Sequence, residues 1–156
     1  MFRVLRASSD PMSTGAAIAV AVTFVWLGMV LGISFLEAPL KFRAPNVTLQ
    51  IGLGIGRLVF RALNTVEVGF AVVLLAAVPT VCAGERTPLG IVVAFAVVFA
   101  ALAIQLIAVR PRLTRRSDEV LAGADVPRSR GHYVYIGLEA AKVVALSTAG
   151  ILLLTG

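Results

Sequence analysis

"LGIVVAFAVVFAALAIQLIAV", residues 89–109, runs from end to end without one charged side chain, and Gln105 is its single strongly polar group. As a helix rising about 1.5 Å per residue it covers roughly 30 Å, the thickness of a bilayer's hydrocarbon core. An apolar run of that length is expected to cross a membrane. Three further windows have comparable length, at residues 16–36, 62–82 and 133–154. Composition agrees, with 59% hydrophobic and only 14% charged residues, where a soluble domain carries about a quarter charged. The reading is an all-α integral membrane protein, a four-transmembrane-helix bundle forming a single membrane domain over residues 1–156. Two long loops, 37–61 and 110–132, and a short turn at 83–88 connect the spans, and no connection is long enough for a separate extramembrane domain.

The charges are sorted by loop. Lys41, Arg43, Arg57 and Arg61 lie between the first two spans, and Arg110, Arg112, Arg115, Arg116, Arg128 and Arg130 between the last two. Only Arg3 and Arg6 precede the first span, and only Arg86 lies in the short turn. Cationic loops stay in the cytoplasm, so both long loops are expected there, with both termini outside, in a bacterial inner membrane. The net charge of +6 then reads as orientation and contact with anionic lipids, and nucleic-acid binding is excluded as a partner class. Arg3 and Arg6 ahead of an apolar run resemble the start of a signal peptide, but the run exceeds the usual apolar region and no small-x-small site follows it. Translation from Met12 is an open alternative to Met1. Cys82 is the only cysteine, so it reads as a small packing residue.

The two halves repeat. Sliding the sequence along itself until Pro39 falls on Pro111 also superposes Arg43 on Arg115 and Glu67 on Glu139, which suggests two parallel helical-hairpin repeats related by an axis along the membrane normal. In the first long loop Pro39 and Pro45 are expected to end the helix. The apolar stretch 47–60 is expected to lie on, or dip into, the cytoplasmic face. No strand precedes "GLGIG", so Gly52, Gly54 and Gly56 read as close backbone packing rather than a phosphate loop. The acceptor-like Asn46-Val47-Thr48 falls on the cytoplasmic side and carries no weight as a glycosylation site. In the second long loop a short surface helix is expected near Ser117.

Three charges interrupt the apolar spans: Glu67 in the second, Glu139 and Lys142 in the fourth. Each costs about 2.5–3.5 kcal/mol at a helix centre and is expected to face the bundle interior. His132, Tyr135, Glu139 and Lys142 follow at spacings of three, four and three, on one helical face. Arg57, Arg61, Asn64 and Glu67 form a comparable stripe from the same side, and the two stripes are expected to face each other. One reading is packing: Glu139 pairs with Lys142 on its own helix, and Glu67 holds a proton or bonds to Asn64 or Gln105. The other is a buried ion-binding or coupling site of Glu67, Glu139 and Lys142 beside Asn64, with His132, Tyr135, Arg57 and Arg61 at its rim. His132 is the only histidine, so no multi-histidine metal site and no bis-histidine haem site forms within one chain. No nucleophile-base pairing stands out, so an enzyme is not expected, and the sequence requires no cofactor.

The stretches "FLEAPLKFRAPNVTLQIGLGIGRLVF" (35–60) and "RGHYVYIGLEAAK" (130–142) resemble the CopD-like group of small four-helix bacterial membrane proteins. The group includes copper-resistance membrane domains, HemJ-type protoporphyrinogen oxidases and a eukaryotic transmembrane protein linked to cisplatin resistance. The matching positions are Ala38, Pro39, Gly56, Phe60 and His132. The resemblance implies a two-hairpin bundle, with metal or tetrapyrrole handling in some members. The first three helices here carry no histidine, which departs from the haem-using members. The functional expectation is a small cation, metal or proton-coupled transporter built on the Glu/Lys cluster. The alternative is a non-catalytic membrane subunit or scaffold of a larger complex. A homodimer is expected to pack through Trp26, Gly28 and Gly32 on the first helix.

Overall fold

The structure, a computed structural model, describes residues 12–82, 89–122 and 130–155. The expectations for Arg3, Arg6, Arg86, Arg128 and the turn at 83–88 lie outside the described residues, as do the side chains of Cys82, Arg130 and His132. Among the described residues there are four long helical rods, each long and apolar enough to cross a bilayer, and the protein is a multi-pass, all-α membrane protein. The first helix covers Thr14–Arg43, the second Leu49–Cys82 and the fourth Arg130–Thr155. The third is continuous through Leu89–Ile104, Gln105–Val109 and Arg110–Leu121. The first helix packs on the second and on the fourth, and the third packs on the fourth. The seam between the second and third helices is the loosest side of the ring.

Both long loops are shorter than expected, because helix replaces much of each. In 37–61 the first helix runs past Pro39 to Arg43, and the second begins at Leu49. In 110–132 the third helix continues over Arg110–Leu121 without the separate start expected near Ser117. The reason is the same in both places. Leu31–Glu37 and Gln105–Val109 are π-helical, and each ends just ahead of a proline, Pro39 or Pro111. The Ala38 N–H donates to the Ile33 carbonyl, five positions back, and the Arg110 N–H donates likewise to the Gln105 carbonyl. Proline normally breaks a helix because it removes one i→i−4 bond and clashes with that carbonyl. Here the ladder has already slipped by one residue, so the helix bends and continues. The register that lays Pro39 on Pro111 also lays Ala38 on Arg110 and Ile33 on Gln105, so the two hairpins carry the same backbone deviation at equivalent positions.

The true break is Ala44–Thr48. Ala44 is extended, with ψ 138°, as a residue before proline prefers, and Asn46 takes φ 64°, the left-handed region that Asn tolerates better than most residues. Thr48 then caps the second helix, its Oγ1 accepting from the Ile51 N–H at 3.3 Å. The acceptor-like triplet is thus a turn followed by a helix cap. "GLGIG" does serve close packing, at two of its three glycines. A Cβ on Gly52 would run into the Phe42 ring and one on Gly56 would fall 2.9 Å from Lys41 Nζ, while Gly54 faces open space. From Leu49 on, the apolar stretch 47–60 is the first turns of the second helix, against which Lys41 and Phe42 at the end of the first helix pack.

The apolar core lies on one side of the mid-membrane charges. Ala19, Leu74, Phe95, Val98, Leu146 and Ala149 are buried there, toward the helix ends that carry Thr14, Cys82, Leu89 and Thr155. Lipid tails are as apolar as these side chains, so what holds this half together is dispersion packing rather than escape from water.

Candidate functional site

The second and fourth helices sit diagonally across the ring, and their polar stripes meet in its centre. Glu67, Glu139 and Lys142 are each 0% exposed. The Lys142 ammonium donates to Glu67 Oε1 in a short contact across the bundle and to Glu139 Oε1 at 3.2 Å on its own helix. Lys142 is thus shared by the two carboxylates. Asn64, one turn before Glu67, is 1% exposed and accepts from the Tyr135 hydroxyl at 3.3 Å. Arg57 and Arg61 stand further toward the rim, and Arg57 pairs with Asp118 of the third helix's extension, closing part of the loose seam.

Two further residues complete the cluster: Trp26, expected on an outer face, and Gln105, expected beside Glu67. The Trp26 indole N–H donates to Glu67 Oε1 at 2.8 Å, and the Gln105 amide donates to Glu139 Oε1 at 2.9 Å. Trp26 is 0% exposed, so it is not part of an outer dimer face. That expectation is corrected, because the indole N–H needs an acceptor that lipid cannot offer. Gly28 and Gly32 have open space where a Cβ would stand. Gln105 begins the second π-helical turn, so the slip in the ladder and the amide contact arise at one residue. A lone polar side chain in a charge-free span was the available signal for Gln105.

Each carboxylate concentrates its donors on one oxygen. Glu67 Oε2, Glu139 Oε2, Gln105 Oε1 and the Thr23 hydroxyl are buried without a hydrogen-bond partner. Such orphans are costly where no water competes. The cluster therefore holds acceptor capacity that its own donors leave unused.

From the rim to this cluster runs a cavity of about 950 Å³. Glu139, Asn64 and Tyr135 line its deep end, while Lys41, Arg57, Arg61, Arg110 and Arg116 line the rest. Lys41 is held by Glu37 at 3.3 Å and lies 5.2 Å from the Phe60 ring centroid. Phe60 in turn packs edge-on to Tyr135 at 5.2 Å. These aromatic contacts fix one wall. Opposite the cavity, the packed apolar side chains of the core separate the cluster from the other membrane face. Among the described residues no group of three or more His, Cys, Asp or Glu side chains is placed to hold a metal ion.

Compared with protein-family models, with curated proteins and with solved structures, the chain has no significant match. The likeness to the CopD-like group therefore rests on the quoted motifs alone.

Proposed function

We propose that this chain is a small proton-coupled membrane carrier whose proton site is the Glu67–Lys142–Glu139 cluster. The observation that carries the reading is the charge count at the closed end of the cavity. Two carboxylates share one ammonium, all three fully buried, which gives a formal charge of −1. A net charge surrounded by hydrocarbon is expensive, and one proton brings the cluster to neutrality. The orphaned Oε2 atoms of Glu67 and Glu139 are where that proton would bind. A metal or other cation is the weaker guest, since it would have to pass the cationic side chains of the lining to reach a cluster that already contains one.

The rim of the cavity is the basic end of the bundle, so the positive-inside rule argues that the proton enters from the cytoplasm of a bacterial cell, with both termini outside. Arginines at that end would also meet anionic headgroups.

Trp26 is the only tryptophan and bonds directly to Glu67, so its fluorescence reports on the cluster. In lipid nanodiscs the Trp26 emission is expected to change with pH in the wild type and to lose that change in Glu67→Gln, while insertion and helix content stay intact. In proteoliposomes Glu67→Gln is expected to abolish proton-driven uptake. An emission that ignores pH in the wild type, or an equal loss of stability in Glu67→Gln and Glu139→Gln with no other phenotype, would return the cluster to a packing role.

A further inference from the structure

We infer that the cavity binds an anionic amphiphile, a molecule with one acidic head, carboxylate or phosphate, on an apolar body. As the cargo of the carrier proposed above, this ligand class rests on that reading, but its binding can be tested alone. Three features of the cavity point to it. Its size, about 950 Å³, is at the upper end of ligand pockets, which run roughly 300–1,000 Å³, far more than an inorganic ion fills. Its charge is one-sided: five cationic side chains line it against one carboxylate, Glu139, which is already engaged by Lys142 and Gln105. Among the described residues Arg57 and Lys41 are paired with Asp118 and Glu37. Arg61 and Arg110 have no acidic partner there, so their guanidiniums are the ones free to take a bidentate oxyanion. Its walls between those cations are apolar, formed by Leu49, Leu53, Leu113 and Ile136, surfaces with nothing to offer a hydrophilic anion.

The arrangement also fits the proton site. An anion held by Arg61 and Arg110 and a proton held by the carboxylates move together as a neutral pair, which is the cheapest way to take a charge through hydrocarbon. The apolar body would lie toward Leu53 and Ile136, with the head left at the basic rim where the arginines stand.

The experiment is equilibrium binding of labelled palmitate to the protein in phosphatidylcholine nanodiscs, corrected for empty discs, with hexadecanol, inorganic phosphate and phosphatidylglycerol as competitors. Palmitate is expected to bind at least tenfold more tightly than hexadecanol, and inorganic phosphate is expected not to displace it. The Arg61→Gln/Arg110→Gln variant is expected to weaken palmitate at least tenfold, and Leu53→Trp, which fills the apolar wall and leaves every charge in place, is expected to remove it. Displacement by phosphatidylglycerol would support the site and identify a membrane phospholipid as its source; no displacement would support a free amphiphile. Equal binding of palmitate and hexadecanol, displacement by phosphate at similar concentration, or unchanged affinity in both variants overturns the inference. A protein that binds no palmitate yet keeps the pH response of Trp26 loses this inference and keeps the proton site. One that binds palmitate with a pH-silent Trp26 keeps the amphiphile site and loses the coupling.

Discussion

Replacing Lys142 by Met tests whether the cluster is a counted set of charges or a brace. Lys142 is fully buried and, among the described residues, is the only cation paired with either carboxylate in the cluster. Removing the ammonium leaves Glu67 and Glu139 with neutral donors only, Trp26 and Gln105. Breaking a buried ion pair by deleting one partner costs about 3–5 kcal/mol. For a chain of this size each kcal/mol moves the unfolding midpoint by about 2–4 °C, so Lys142→Met should lower it by about 6–20 °C. Glu67→Gln should cost much less, about 1–3 kcal/mol, because the Lys142–Glu139 pair at 3.2 Å survives as a neutral unit and Gln can still accept from Trp26. The triple variant Glu67→Leu/Glu139→Leu/Lys142→Met should recover most of the loss, since a buried ion cluster replaced by apolar side chains of similar volume is often neutral or better. It should do so with no pH response left in Trp26. The assay is the apparent unfolding midpoint in nanodiscs, read by Trp26 emission and circular dichroism together. A midpoint for Lys142→Met within about 2 °C of the wild type, less than the effect of a single kcal/mol, or a Glu67→Gln loss equal to that of Lys142→Met, would refute the charge accounting.

Gly52→Ala should destabilise by about 1–3 kcal/mol because the new methyl meets the Phe42 ring, whereas Gly54→Ala, which meets nothing, should stabilise the second helix by about 0.5–1 kcal/mol; paired midpoints decide it. Gln105→Leu deletes a donor to Glu139 Oε1 and should cost about 1–3 kcal/mol, with an altered Trp26 pH response that a merely structural amide would leave unchanged. Arg57→Gln removes an ion pair whose side chains are 33% and 53% exposed, so its stability effect should stay below about 1 kcal/mol and vanish in high salt; a larger, salt-independent loss would mean that the packing of the second helix on the third depends on this pair.

The number of spans was legible because about 20 apolar residues have few uses outside a membrane. The two glutamates and the lysine were legible as inward-facing because charge in lipid has to find a partner. The orientation of the uncharged helices was not legible. Core and lipid are equally apolar, so no periodicity separates the inner face of the first helix from its outer face, and Trp26 was assigned to the wrong one. The proline rule held at Pro45, where the first helix has ended, and failed at Pro39, because it presumes a regular i→i−4 ladder and a π-helical turn has no residue signature of its own. The glycines after Val47 were legible as packing positions, and two of them are contact points for Phe42 and Lys41; that this stretch is already helix from Leu49 was not, because glycine disfavours a helix interior.

The repeat clarifies what the cluster is. The shift that carries Glu67 onto Glu139, and the first π-helical turn onto the second, carries Phe70 onto Lys142. Phe70 packs against the Trp26 ring, with centroids 6.0 Å apart. A strictly doubled bundle would hold two carboxylates with either no lysine or two, and its charge would be even. Here the ammonium occurs once, on one of two equivalent helices, and the indole N–H donates to the same Glu67 oxygen as the ammonium. The donors differ as well, since Ile33 occupies the first-repeat position equivalent to Gln105. Packing alone gives no reason for that imbalance, because two lysines or two phenylalanines would serve a symmetric brace equally well. An odd charge at the blind end of a cationic cavity is what a site needs if it is to exchange one proton at a time.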